Sequence, residues 1–358
     1  MAFGYTRTLP TITGSHSDFP VLLTAGSFPA AAIDGGASSI DNGGGNLRAY
    51  TDSGKATQLS LEVVTFVTGG TPDIQVWCKI PTAATSNTIF LEADAVATTQ
   101  PAVGVAFGRN SVWADYEAVI HANETGTDGV FVDSTGNSHD TTLTTGATLA
   151  TTTTGHPFGA TWPDFDTTSA ATLTSSAQIL NNSAMSISAW IDPDVLSAGD
   201  GIIGNRYQSG DTEWYTLQSN GRTFAKGPTT EDLVNGSFAA STRYVTTTHD
   251  ASSLDLFVNG ALNADDTSIA NTGGINTPVG RDYRFGTYFA DASGSRYDGR
   301  AGSLKFRKLK ISLNLHSTEY NNQSDPVNWG TSSAWADGGG GSVSIPVIMN
   351  QLRNQGIQ

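Results

Sequence analysis

The sequence predicts an all-β chain: two β-sandwich domains followed by a short C-terminal arm. Three observations lead there. Apolar residues alternate with polar ones at period two in run after run, the mark of half-buried strands. Clusters of Gly, Asn, Asp and Ser punctuate those runs where tight turns need them. The composition, with 40 Gly and only 14% charged residues, disfavours long helices. At 358 residues the chain has room for about two domains.

Taken in order, Gln58–Val63 puts Leu59, Leu61 and Val63 on one face, and 73–80 does the same with Ile74, Val76, Cys78 and Ile80. Ser186–Ile191 and Leu254–Val258 read as further strands. Turn signals stand at 34–36, 51–55, 133–137, 219–221 and 258–260. No helical window of more than three turns is expected. A boundary near Gly108 and the Gly-rich run 337–342 divide the chain into an N-terminal sandwich (1–108), a second sandwich (109–336) and a linker with its arm (337–358).

The net charge of −15 argues against nucleic acid and against charge-driven binding to anionic membrane, both of which need basic patches. No stretch approaches the ~20 apolar residues of a membrane span, so no membrane insertion is expected. The first residues lack the apolar core of a signal peptide. The single cysteine, Cys78, excludes an internal disulfide and reads as a small core residue rather than a nucleophile.

The first module resembles a bacterial and phage domain of unknown function that sits before laminin-G-like modules. The resemblance is carried by Asp18–Leu23, Gly45–Asp52, Leu59–Val63 and Val76–Pro81. The second module looks like a concanavalin A/laminin-G-like jelly roll, in its opening Ser111–Glu124, its strand Ile187–Ile191 and its closing run Glu319–Pro326. The resemblance implies a structural calcium held by the 133–137 turn and by acids on the last strand. Here that strand reads Gly302–Arg307 and has no acids, which leaves Asp133 and Asn137 as a partial ligand set. Calcium is a possible ligand on this reading, and no cofactor is required.

Glycosidic hydrolysis needs two carboxylates facing one bond. The nearest pattern, Glu92-Ala93-Asp94, lacks a third acid, lies in the first module and reads as solvated edge charge. The six histidines show no metal-ligand spacing, and His121 reads as a core or seam histidine. Gly43–Gly45 lacks the Lys-Ser/Thr of a phosphate loop. No catalytic residue is expected and the chain reads as no enzyme. A glycan or protein interface is expected on loop aromatics, namely Tyr207, Trp214, Tyr283, Phe285, Tyr288 and Tyr297.

The tail carries Ile345, Val347, Ile348, Met349 and Leu352, too apolar to float and too short to fold alone. It reads as an assembly arm for a homo-oligomer or for other virion proteins. With the module order, these features imply a non-enzymatic bacteriophage virion structural protein, tail-associated or a capsid decoration, whose jelly roll faces outward toward host-surface glycan. The alternatives are an extracellular cell-surface adhesin or carbohydrate-binding module and, behind them, a glycosidase with a non-standard acid pair acting through Glu124 or Glu213.

Overall fold

The computed structural model describes residues 3–83, 87–123, 130–143, 150–159, 161–165, 171–173, 179, 184–205, 214–227, 230–270, 283–287 and 296–337. The expected arm, 338–358, lies outside them.

Strand parity builds the first module. One antiparallel sheet orders Thr331–Ser332, Phe3–Thr8, Thr88–Ala93 and Leu47–Tyr50, and Ala336–Asp337 shares the outer edge of Phe3–Thr8. A second sheet orders His16–Thr24, Asp73–Ala83 and Ser60–Val67. Ile74, Val76, Cys78 and Ile80 face the first sheet with Phe19, Val21, Leu23 and Leu61. The opposite parity points the other way: Leu22 and Trp77 pack with Val112, Trp113, Tyr116 and Val119 of the following segment. The second sheet is therefore buried on both faces. Burial also pushes the Cys78 thiol up, so it stays protonated in the core.

The second module stacks two larger antiparallel sheets. One orders Ala261–Asp266, Leu254–Val258, Arg243–His249, Met185–Pro193, Gly299–Arg307, Trp162–Phe165 and Ala150–Thr152, with Ala118–Ile120 pairing to Gly299–Arg307. The other orders Glu231–Asn235, Arg222–Lys226, Trp214–Gln218, Gly201–Gly204, Arg284–Phe285, Ala171–Leu173 and Thr141–Leu143. Ile187, Ala189, Ile191, Val245, Leu304 and Phe306 fill the space between them with Tyr215, Leu217 and Phe285. The expected jelly-roll sandwich is present.

Two features depart from the sequence reading. Leu313–Ser324 is a helix of 12 residues. Its buried residues are His316, Thr318, Glu319, Asn322 and Gln323, so it shows no apolar stripe of the kind that marks helices in a sequence. Ser312 caps it, its Oγ accepting from Leu315 N at 3.2 Å. Beyond the helix, the chain does not stay with the jelly roll to residue 336. It returns to the first module, where Arg7 ties it down: the buried guanidinium donates to the carbonyls of Pro326 at 2.7 Å, Val327 at 3.1 Å and Trp329 at 3.1 Å. Gly330 follows with φ of +122°, and a side chain there would strike the carbonyl of Thr8. Asp337, expected to open the linker, pairs with Phe3.

Candidate functional site

The polar helix lies on the outer face of the eight-stranded sheet. Residues of that face are Ser186, Ser188 and Trp190 on one strand, Tyr244, Thr246 and Thr248 on the next, and Lys305 and Arg307 on a third, all buried. Among the described residues, all but Lys305 find a hydrogen-bond partner. His316 Nδ1 lies 2.9 Å from Thr246 Oγ1 and its Nε2 accepts from Gly260 N at 3.0 Å. Trp190 Nε1 donates to Gln323 Oε1 at 3.0 Å, and Thr246 donates to Ser188 at 2.8 Å.

Glu319 is the electrostatic centre of this layer. Tyr244 donates to its Oε2 at 2.7 Å and Tyr116 to its Oε1 at 3.2 Å, while Arg307 lies 3.4 Å away. Burial alone would raise its pKa, but Arg307, Lys305 and Tyr244 outweigh it and hold the carboxyl below its usual range. Among the described residues, Lys305 has no hydrogen-bond partner for its ammonium. Its Nζ sits 4.8 Å from the Trp77 ring centre and 5.6 Å from that of Tyr244, a cation held by aromatic faces from both modules. Burial pulls it down to about 8, with Glu319 opposing.

A second buried carboxylate, Glu62, faces the jelly roll from the strand Ser60–Val67. Trp113 Nε1 donates to its Oε2 and Ser134 Oγ to its Oε1, each at 2.5 Å. His121 Nε2 lies 2.9 Å from Oε2. A carboxylate only accepts, so Nε2 carries the hydrogen, and the ring's Nδ1 is buried with no partner among the described residues. This is not a nucleophilic triad, since Ser134 and His121 both address the carboxylate and not each other.

Above Glu62 opens a cleft of about 440 Å³, lined by Glu62, Val63, Val64 and Thr65 from the first module and by Arg109, His121, Asn123, Val132 and Ser134 from the segment that follows. Among the described residues, Arg109 and Asn123 make no side-chain hydrogen bond or ion pair, and the Nε of Arg109 is buried without an acceptor. A second cleft of about 450 Å³ is bounded by Gly26, Pro72, Asp73, Phe158, Asp325 and Val327.

With this geometry in hand, a family model described as the concanavalin A-like lectin/glucanases superfamily (Laminin_G_3) matches residues 165–303. The second sandwich is a concanavalin A-like jelly roll. Among solved structures, domain 4 of AbnA, a GH43 extracellular arabinanase from Geobacillus stearothermophilus solved with arabinotriose, is 14% identical with a TM-score of 0.46, and the match covers 57% of this chain and 97% of that one. The botulinum neurotoxin serotype D/C binding domain is 15% identical with a TM-score of 0.45, covering 59% of this chain and 52% of that one. The binding domain of Paraclostridial Mosquitocidal Protein 1 is 13% identical with a TM-score of 0.43, covering 58% and 51%. This chain thus spans about half of each toxin domain it matches. No curated protein matches the chain.

The jelly roll does not place the expected loop aromatics on its surface. Tyr283, Phe285 and Tyr297 are fully buried in its core. Phe285 lies in the strand Arg284–Phe285, and an edge-on contact with Phe165 at 5.0 Å fixes its ring. These three rings are spent on packing and are not a glycan platform. Tyr207 and Tyr288 lie outside the described residues, as do Glu124 and Glu213. Trp214 opens the strand Trp214–Gln218 opposite Lys226, and its side chain lies outside them too.

The expected calcium turn is also different. Asp133 is buried, and its carboxylate accepts from Val119 N at 3.0 Å, Thr135 N at 2.9 Å, Thr135 Oγ1 at 2.6 Å and His139 N at 3.0 Å. Asn137 turns its amide to the carbonyl of Glu117 at 2.9 Å. Donors fill the oxygens a cation would need, so the turn organises backbone instead. Glu92 is no solvated edge charge either: it is buried beneath Lys55, with which it pairs.

Sequence reasoning passed over Glu62, Arg109, Lys305, Arg307 and Glu319. The available signal was parity. Glu62 alternates with Leu61 and Val63, which is indistinguishable from a solvent-facing residue unless a second module covers that face.

Proposed function

We propose that this protein is a non-enzymatic, surface-displayed scaffold that binds a saccharide in the cleft above Glu62. The observation that carries this reading is the cleft itself. Polar groups with no partner among the described residues, the side chains of Arg109 and Asn123, stand with apolar Val63, Val64 and Val132 around a space sized for one or two sugar rings. The lectin-type fold supports it.

The reading is non-catalytic because both seam carboxylates are committed. Glu62 holds Trp113, His121 and Ser134, and Glu319 holds Tyr116, Tyr244 and Arg307. Neither is left to act as acid or nucleophile toward a bound glycoside. The particular setting we propose, a bacteriophage particle with this protein on its tail or capsid, rests on the module order that the sequence resembles; a cell-surface or extracellular setting would use the same cleft.

The test is a glycan array probed with the intact chain, together with gold labelling of whole particles. Saccharide capture without turnover, lost on filling the cleft with Val132→Trp, is the expected result. Turnover of a captured glycan would overturn the non-catalytic reading, and absence of capture would overturn the binding one.

A further inference from the structure

Resting on that cleft reading, we propose that the ligand is an acidic saccharide bearing a single carboxylate, and that Arg109 is the residue that selects it. Arg109 begins the four-residue turn Arg109–Val112, packed against the strand Ser60–Val67, so its backbone is fixed at the junction of the two modules. Its side chain is half-buried and its Nε fully so, yet no hydrogen bond or ion pair among the described residues engages it. A guanidinium partly withdrawn from water and unpaired is costly unless an anion completes it. It presents a planar fork of donors that matches a carboxylate in two parallel bonds.

The acid that lines the cleft does not serve. Glu62 lines the same cleft, but its two oxygens are taken up by Trp113, His121 and Ser134, and it makes no ion pair with Arg109. Its charge also limits the ligand. In a chain of net charge −15, with Glu62 in the floor and one cation in the wall, a doubly charged phosphate meets more repulsion than a carboxylate. The rest of the lining suits a sugar ring rather than a bare acid. The Asn123 amide offers donor and acceptor for hydroxyls. Val63, Val64 and Val132 supply apolar contact for the C–H face of the ring. Each bond is modest, so selectivity rests on the charged pair.

The experiment is titration of the intact protein with a uronic-acid or sialic-acid oligosaccharide and, in parallel, with its methyl ester, read by ligand-observed NMR. We expect the acid to bind at least tenfold more tightly than the ester, Arg109→Gln to abolish that difference, and Arg109→Lys to restore part of it, all three proteins melting alike. Equal binding of acid and ester, or an Arg109→Gln variant that still discriminates, overturns the acidic specificity while leaving the saccharide reading intact. Binding of neither overturns both. Asn123→Ala, away from the charge, should weaken acid and ester by the same factor; a loss confined to the acid would place the selecting group at Asn123 instead.

Discussion

Asn322 of the polar helix closes both backbone hydrogen-bonding groups of Leu22. Its Oδ1 accepts from Leu22 N at 2.7 Å and its Nδ2 donates to Leu22 O at 3.1 Å. Leu22 lies on an edge strand of the first module's second sheet, and one side-chain amide there does the work of a neighbouring strand. The contact joins a helix laid on the jelly roll to the module that precedes it.

Asn322→Ala leaves a buried N–H and a buried C=O of Leu22 without partners. We expect a loss of about 2–4 kcal/mol, read as a lowered midpoint in urea. Asn322→Asp keeps the acceptor but sets a carboxylate oxygen against the Leu22 carbonyl, and should cost at least as much. A midpoint unchanged in both variants would show that the edge is satisfied another way.

Lys305 makes stability rise with pH. Burial lowers it to about 8, whereas in the unfolded chain it titrates near ~10.4. Between these values the unfolded state holds the proton and the folded state does not. The cost of the buried charge is therefore complete below pH 8 and is relieved as pH climbs toward 10. Tyr116 and Tyr244, pushed up by burial, turn the curve over at higher pH. Lys305→Met should be more stable at pH 7 by about 1–3 kcal/mol and should flatten the rise between pH 8 and 10 in denaturant titrations.

His316 acts on the acid side. Its Nε2 accepts from Gly260 N, so a proton there would face a donor, and burial lowers it to about 4 despite Glu319. The folded state keeps it neutral. Its contribution is fully present above the unfolded value of ~6.5 and is lost as pH falls from there toward 4, by up to ~3 kcal/mol. His156, brought to about 3 by burial, adds in the same direction. The melting temperature should fall steadily below pH 6.5, and less steeply in His316→Gln.

The Asp133 turn predicts indifference to chelation. Donors of its own chain occupy the carboxylate, so excess EGTA should leave the melting temperature within a degree of the untreated protein. Asp133→Ala, in contrast, strands the N–H groups of Val119, Thr135 and His139 and should cost about 2–4 kcal/mol. A large drop with EGTA would put a cation back at this turn.

The strands were the legible part of this fold. Asp73–Ala83 and Met185–Pro193 alternate in sequence as strands do, although the fold buries both faces of each, and turn residues at 34–36 and 258–260 separate elements as expected. Other features left no local trace. Leu313–Ser324 buries amides, a carboxylate and an imidazole, so the hydrophobic period that marks a helix is missing. Thr331–Ser332 and Ala336–Asp337 pair over two residues each, too short for alternation to register. Tyr283 and Tyr297 stand among Arg and Asp, and only the jelly-roll core tells them from exposed rings. The cleft was invisible because its residues come from 62–65, 109, 121–123 and 132–134, and only the docking of one module on the other assembles them.

The pairing of Phe3–Thr8 with Thr331–Ser332 and Ala336–Asp337 sets a schedule for synthesis. Phe3–Thr8 leaves the ribosome ahead of partners made more than three hundred residues later, on the order of tens of seconds at cellular rates of translation. Over that interval one edge of Phe3–Thr8 is open and Arg7 has none of the carbonyls of Pro326, Val327 and Trp329 to hold. The jelly roll can close as soon as its own last strand emerges, so the second half of the protein matures before the first. A nascent chain stalled short of residue 331 would hold a finished lectin-type fold behind an unsealed sheet, the form most exposed to chaperones and to edge-to-edge aggregation.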